Sequence, residues 1–273
     1  MWYNNIMEEV INYKNNWYKN IKYQSKQDFL TFVRLFAPTL VSDWQMGKHI
    51  EVISEKLKQL EAGTIKRLMV FLPPRSSKSV ICSKLFPAWY IGRNPAHEIL
   101  TVSHSDQLSS DFGRSVRDIV SRGAHIAILD DVMSEEDSYS EAGRRYVKEW
   151  YPAGLRTRIM PNGSILIINT RYHYDDLCGW LLKQESEFTN ILPWEVIRIP
   201  AWLDEASAEL LKLPVGGSYF PEWKTDESLK IDEQEIRASN GSRYWNALYM
   251  QDPTPDEGGL IKKKWLQWWD YDE

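Results

Sequence analysis

Leu68-Met69-Val70-Phe71-Leu72 runs directly into Pro73-Pro74-Arg75-Ser76-Ser77-Lys78-Ser79. A short continuous apolar run has the texture of a strand buried on both faces, as in a parallel sheet. The polar turn after it leads into an apolar-patterned stretch that predicts a helix to about Ile91, closed by Gly92. Strand, polar turn and helix is the arrangement in which backbone amides and a helix N-terminus meet an anion. A phosphate-binding loop also needs a Lys for the β/γ phosphates and a hydroxyl for Mg²⁺. Lys78-Ser79 supplies both. The usual spacing has Gly six residues before the Lys and again directly before it, where this chain has Leu72 and Ser77. Taken by itself, the segment therefore reads equally as a strand-to-helix turn carrying a solvated Lys.

The same texture recurs on either side. Phe29, Phe32, Val33 and Phe36 predict a helix stopped by Pro38, and Ile50, Ile53, Leu57 and Leu60 a second, following Asp43 and ended by Gly63. Strands are predicted at Ile99–Val102, Ile126–Leu129 and Ile165–Ile168. A helix marked by Leu108, Phe112, Val116 and Ile119, with Ser105 as its cap, separates the first two. Strands alternating with helices imply a mostly parallel sheet with helices on both faces, an α/β fold. After about Pro200 the strand signal fades. Helical stretches at Glu205–Leu211, Asp226–Ala238 and Asn240–Tyr249 predict a small, mainly helical subdomain, with a boundary near Pro193–Pro200.

Ligands of an open parallel sheet bind at the carboxyl ends of its strands. The strand at 126–129 ends in Asp130-Asp131. The first acid fits a ligand of an Mg²⁺-bound water, and the second could orient or deprotonate an attacking water. Acids after a strand also serve as ordinary helix caps, as Ser134–Asp137 are expected to. The pairing with Lys78-Ser79 favours the chemical reading, because phosphoryl transfer is mainly positioning plus charge stabilisation and needs these groups together. Arg75 carries a guanidinium that can span phosphate oxygens bidentately, or is a surface Arg on a turn. Asn169-Thr170-Arg171 ends the fourth strand, where polar groups can sense a γ-phosphate. Asp175 or Asp176 is expected to cap the helix running to Lys183.

Composition narrows the class. The 273 residues exceed one average domain of ~150 residues, and a 43% apolar, 26% charged mix is that of a folded globular chain. The net charge of −5 gives no global basic field. Cys82 and Cys178 have no partner at metal spacing and exclude a disulfide framework. No apolar run approaches the ~20 residues of a membrane span, and residues 1–20 have no signal-peptide core. The expectation is a soluble, reduced, intracellular protein without a membrane partner. The 13 Trp, 14 Tyr and 8 Phe leave open whether a thick core or a sticky surface is being built.

The string Phe71–Ser79, followed by Leu85–Pro95, resembles the ATPase domain of the large terminase subunit of tailed bacteriophages. Ile128–Val132, Thr170–Leu177 and Tyr249–Pro253 continue the resemblance in family order from about Trp44 to Leu260. It implies a P-loop NTPase of the additional-strand class, with the strand at 99–102 agreeing with that class, and a small lid-like subdomain. The implied division is 1–195 for the ATPase core with N-terminal helices, 196–260 for the lid, and 261–273 for the start of a linker to a nuclease domain. ATP and Mg²⁺ are the implied cofactors. Nucleotide would be bound by Gln45, Pro74, Arg75, Ser76, Ser77, Lys78 and Ser79, with Gln45 reading the adenine edge, and Mg²⁺ by Ser79 and Asp130. Arg75, Lys78 and Asp131 would be catalytic, Asp131 standing where many relatives have Glu, with Glu135 or Glu136 as possible assistants. Asn169 and Thr170 would couple hydrolysis to movement. The implied partners are double-stranded DNA, the portal protein of the procapsid, the small terminase subunit and further copies in a ring. The site of action would be the host cytoplasm, transiently at the portal. Arg122, Arg156, Arg158 and Arg171 are candidates for an Arg acting on a neighbouring subunit.

Three departures carry expectations. Ser77 in place of Gly predicts a strained left-handed residue costing ~1 kcal/mol. The short Ser121–His125 link, where relatives have a longer insertion, predicts an abnormal join at Val120–Ser121. No cluster of acids for two-metal cleavage is evident, so ATP hydrolysis without DNA cleavage is expected. Two other classes stay open: a nucleotide-binding assembly module that does not hydrolyse, and a helicase-like ATPase.

Overall fold

The computed structural model describes residues 23–103 and 123–253. The helix expected at 108–119, the Val120–Ser121 join, Arg122 and the stretch 261–273 with its Trp cluster lie outside the described residues.

Five strands form one sheet: β1 (Arg67–Phe71), β2 (Ile99–Ser103), β3 (Ala124–Asp130), β4 (Ile159–Ile168) and β5 (Glu195–Arg198). Their spatial order is β2-β3-β4-β1-β5, and every pairing is parallel. Around them lie α1 (Phe29–Leu40), α2 (Lys48–Glu61), a π-helical segment Val80–Leu85 continuing as α3 (Phe86–Arg93), α4 (Glu135–Tyr139), α5 (Glu141–Trp150), α6 (Leu177–Glu187), α7 (Glu205–Leu211) and α8 (Asp226–Leu248).

Side chains alternate across a strand, and the core divides accordingly. Leu68 and Val70 of β1, Ile126 and Ile128 of β3, and Leu166 and Ile168 of β4 pack on one face with α1, α2, α3, α7 and α8. Met69 and Phe71, Ala127 and Leu129, and Ile165 and Ile167 pack on the other with α5 and α6. Leu68, Met69, Val70 and Phe71 are at most 1% exposed, each worth roughly 1.5–3 kcal/mol of burial. Such a strand can sit only in the middle of a two-sided sheet.

Several expectations need correction. Pro38 lies inside α1 rather than stopping it. The helix runs two residues past the ring, and Val41 N–H closes it on the Ala37 carbonyl at 3.0 Å. The second helix, expected to follow Asp43, begins at Lys48 after Gly47. The strand expected at 99–102 is present as β2, at the sheet edge, and β4 lies between β1 and β3. The sequence reading also missed β5. Beyond β5, Ile199, Ala201, Leu203, Tyr219, Phe220 and Trp245 pack into the same core as β1 and β4.

Candidate functional site

Register brings the polar clusters together. Asp130 pairs with Ile168 and Val70 with Ile168, so the residues after each strand leave the sheet at one edge. The turn after β1, Asp130-Asp131 after β3 and Asn169-Thr170 after β4 are therefore neighbours because three parallel strands end level.

Within the turn, Arg75 and Ser77 take left-handed backbone angles, φ 60° and 62°. Ser76 between them and Lys78 after them are buried. The ammonium of Lys78 donates to the Leu72 carbonyl at 3.2 Å and to Thr170 Oγ1 at 3.4 Å. Burial pushes its pKa down, opposed by Asp131 and Asp130. Ser79 Oγ donates to Asp130 Oδ1 at 3.2 Å, and Ser83 Oγ to Oδ2 at 2.7 Å. Burial raises the pKa of Asp130, with Asp131 adding to the rise and the two hydroxyls and Lys78 opposing it. A half-buried acid in that state gains most from a cation. Among the described residues no group of three or more His, Cys, Asp or Glu could hold a metal. Ser79 Oγ and the Asp130 carboxylate form a hard-oxygen pair of the kind that suits Mg²⁺, which keeps waters and phosphate oxygens as its other ligands.

Asp131 also has left-handed geometry, φ 46°. Its N–H donates to the Ile168 carbonyl at 2.8 Å, and its Oδ1 accepts from Thr170 N–H at 2.6 Å. The acid is thereby hydrogen-bonded to the first turn beyond β4. Asn169 and Thr170 are both buried, and Asn169 Nδ2 donates to the Thr170 carbonyl at 3.0 Å. One network links Lys78, Thr170 and Asp131.

The other candidates are placed differently. Arg75 is exposed, and its charge reaches Tyr249, at the start of the Tyr249–Pro253 segment. Gln45 is exposed on the irregular stretch before α2, not on a helix. Glu135 and Glu136 are exposed in the first turn of α4, whose cap is Ser134. Arg171 is buried; its Nε donates to Asp176 Oδ2 at 2.7 Å, and its guanidinium lies over the Phe71 ring. That pairing gives it a structural task within its own chain. Arg156 and Arg158 precede β4, whose first residue pairs with Ala124 and whose last pairs with Asp130, roughly 20 Å from the polar edge.

Two residues at the site escaped the sequence reading. Ser83 is signalled by its spacing of four from Ser79 along one helix, which puts both hydroxyls on one face. His49, in the first turn of α2, brings its Nε2 to 3.1 Å from the Ser76 carbonyl, and no motif marks it.

β1 carries the turn, β3 the acids, and β4 is inserted between them. The fold is a five-stranded parallel α/β sheet, and its strand order agrees with the additional-strand arrangement that the resemblance implies. No family model matches the chain, and no curated protein matches it. Among solved structures, a crystal structure of a DNA replication initiation factor is similar with a TM-score of 0.40 and 12% identity, over 76% of this chain and 65% of that one. The chain thus spans less than two thirds of the length of that structure. Among the described residues no helix is long and apolar enough to cross a membrane.

Proposed function

We propose that the chain is an Mg²⁺-dependent ATPase, the motor domain of a terminase large subunit that moves double-stranded DNA into a procapsid. The observation that carries the ATPase reading is the meeting of Lys78, Ser79, Asp130, Asp131 and Thr170 at one sheet edge. The terminase reading rests on the ordered motifs from Trp44 to Leu260.

In this reading the triphosphate lies across the turn 73–79, with Gln45 at the base end. Ser79 and Asp130 would hold Mg²⁺, which neutralises developing phosphate charge. Lys78 exchanges Thr170 Oγ1 and the Leu72 carbonyl for phosphate oxygens, a better partner for a buried cation. Arg75, on the exposed side of the turn, stabilises charge on the γ-phosphate. Asp131 orients water, and its bond to Thr170 N–H makes the acid and the coupling residues move together. Loss of the γ-phosphate returns Lys78 to Thr170, and Asn169-Thr170 passes that change to the segment after β4. The reading carries with it a ring of copies on the portal protein, contact with the small terminase subunit, and action in the host cytoplasm. It also carries a division into a core of 1–195, a lid of 196–260 and a linker from 261.

A second reading, a nucleotide-binding assembly module without turnover, draws on the 2.6 Å bond that occupies Asp131. Turnover decides between them. Wild type is expected to hydrolyse ATP with Mg²⁺, and Lys78→Ala and Asp130→Ala to abolish this. Hydrolysis surviving both changes would sink the ATPase reading; binding without turnover, even with duplex DNA present, favours the second. Movement along intact duplex separates a packaging motor from a helicase-like enzyme, which opens it.

A further inference from the structure

His49 is fully buried at the start of α2, against the turn after β1. A carbonyl oxygen only accepts, so the 3.1 Å contact with the Ser76 carbonyl puts the ring proton on Nε2. Nδ1 is then the bare nitrogen, and it is buried without a hydrogen-bond partner. Burial drives the pKa down to about 4, with the Ser76 bond opposing, so the ring is neutral at pH 7. Ser76 is the fully buried residue between the left-handed Arg75 and Ser77, and its own Oγ has no hydrogen-bond partner. A turn strained on both sides of one residue persists only when its surroundings over-determine it.

The imidazole is itself fixed. It lies 5.5 Å from the Tyr219 ring and 4.8 Å, edge to face, from Phe220. A Cβ on Gly47 would come within 2.6 Å of the His49 ring and 2.8 Å of Phe220, so the backbone before α2 passes flush against both rings. We propose that His49 is a positioning residue for the phosphate loop, its Nε2–H holding the Ser76 carbonyl so that the turn keeps its strained shape. This rests on the nucleotide reading of the turn. It also gives that turn a second anchor beside Lys78, one that reaches Tyr219 and Phe220 in the segment after β5.

The test compares His49→Gln, which carries a donor near the Nε2 position, with His49→Met, which fills the space without one. Amide exchange across residues 75–79 is read in nucleotide-free protein, and MgATP affinity is titrated separately. Losing one buried hydrogen bond should speed exchange and weaken MgATP binding about tenfold in His49→Met, while His49→Gln stays within about threefold of wild type on both. Gly47→Ala, whose Cβ displaces the ring with its donor intact, should also speed exchange about tenfold. Wild-type exchange in His49→Met or Gly47→Ala overturns the proposal. So does equal loss in the Gln and Met variants, which would assign the effect to bulk. A wild-type chain that binds no MgATP would overturn the nucleotide reading, and the exchange comparison would still decide the role of His49.

Discussion

Ser77 holds φ at 62°, a region that costs a residue with a Cβ roughly 1–2 kcal/mol. Ser77→Gly removes that cost and gives back part of it through a freer unfolded chain. The net expectation is a gain of roughly 0.5–1 kcal/mol in chemical denaturation, and a comparable loss for the β-branched Ser77→Val. The strain was legible in the sequence because the pattern puts Gly at that position and the chain puts Ser. His49 was not legible: a lone His on a helix of apolar spacing looks like any core residue, and only the fold brings it to Ser76. Its titration is a separate handle. The folded pKa of about 4 lies below the ordinary 6.5, so the unfolded chain binds the proton first as pH falls. Stability from this group is complete above about pH 6.5, declines by about 1.4 kcal/mol per unit below that, and levels off near pH 4, a loss of roughly 3 kcal/mol. His49→Gln should flatten that part of the stability curve. Equal slopes for wild type and variant between pH 6 and 4.5 would remove His49 as the cause.

The capping of α6 ties an element to the site. Asp176 Oδ1 accepts from Gly179 N–H at 2.8 Å while Oδ2 holds Arg171. Asp176 is 1% exposed, so Asp176→Ala strands a buried guanidinium as well as uncapping the helix, an expected loss of about 3–5 kcal/mol. Asp176→Asn keeps the cap acceptor and a neutral partner for Arg171, and should lose clearly less; equal losses in thermal or chemical unfolding would show that the charge pairing is immaterial. The cap was readable from sequence to within Asp175 or Asp176. β1, β3 and β4 were readable because each carries a continuous apolar run. β5 was not, because Glu195-Val196-Ile197-Arg198 exposes Val196 and buries only Ile197 deeply; as an edge strand it needs one apolar contact and the ladder to β1. α8 was read as two helices, and Gly241, at φ 82° and ψ 168°, is where they join.

At the scale of the molecule, the sheet order places the candidate chemistry: with β4 between β1 and β3, the residues after three neighbouring strands can meet, which no local pattern states. Part of the aromatic excess is also placed. Phe29, Phe86 and Trp89 pack together, and Trp245 stacks on Tyr249 at 4.4 Å, in the same core as β1 and β4. Trp265, Trp268 and Trp269 lie outside the described residues. The sharing of that core bears on how the segment after β5 behaves. Residues 199–250 contribute Ile199, Leu211, Phe220 and Trp245 to the layer that covers β1, the Ile199 N–H donates to the Phe71 carbonyl at 3.0 Å, and Ala201 N–H to the Tyr249 carbonyl at 2.7 Å. A lid that moves in a motor cycle would then shift as a packed layer, not open on a free hinge. Emptying the Trp245 site leaves a cavity beneath the whole layer, so Trp245→Ala should cost about 3–5 kcal/mol. Because the layer is shared, the loss should appear in one cooperative transition. Backbone signal by far-ultraviolet circular dichroism and tertiary signal by Trp fluorescence should move together in wild type and variant. Two separated transitions, with only the second shifted by Trp245→Ala, would mean that the segment after β5 folds on its own.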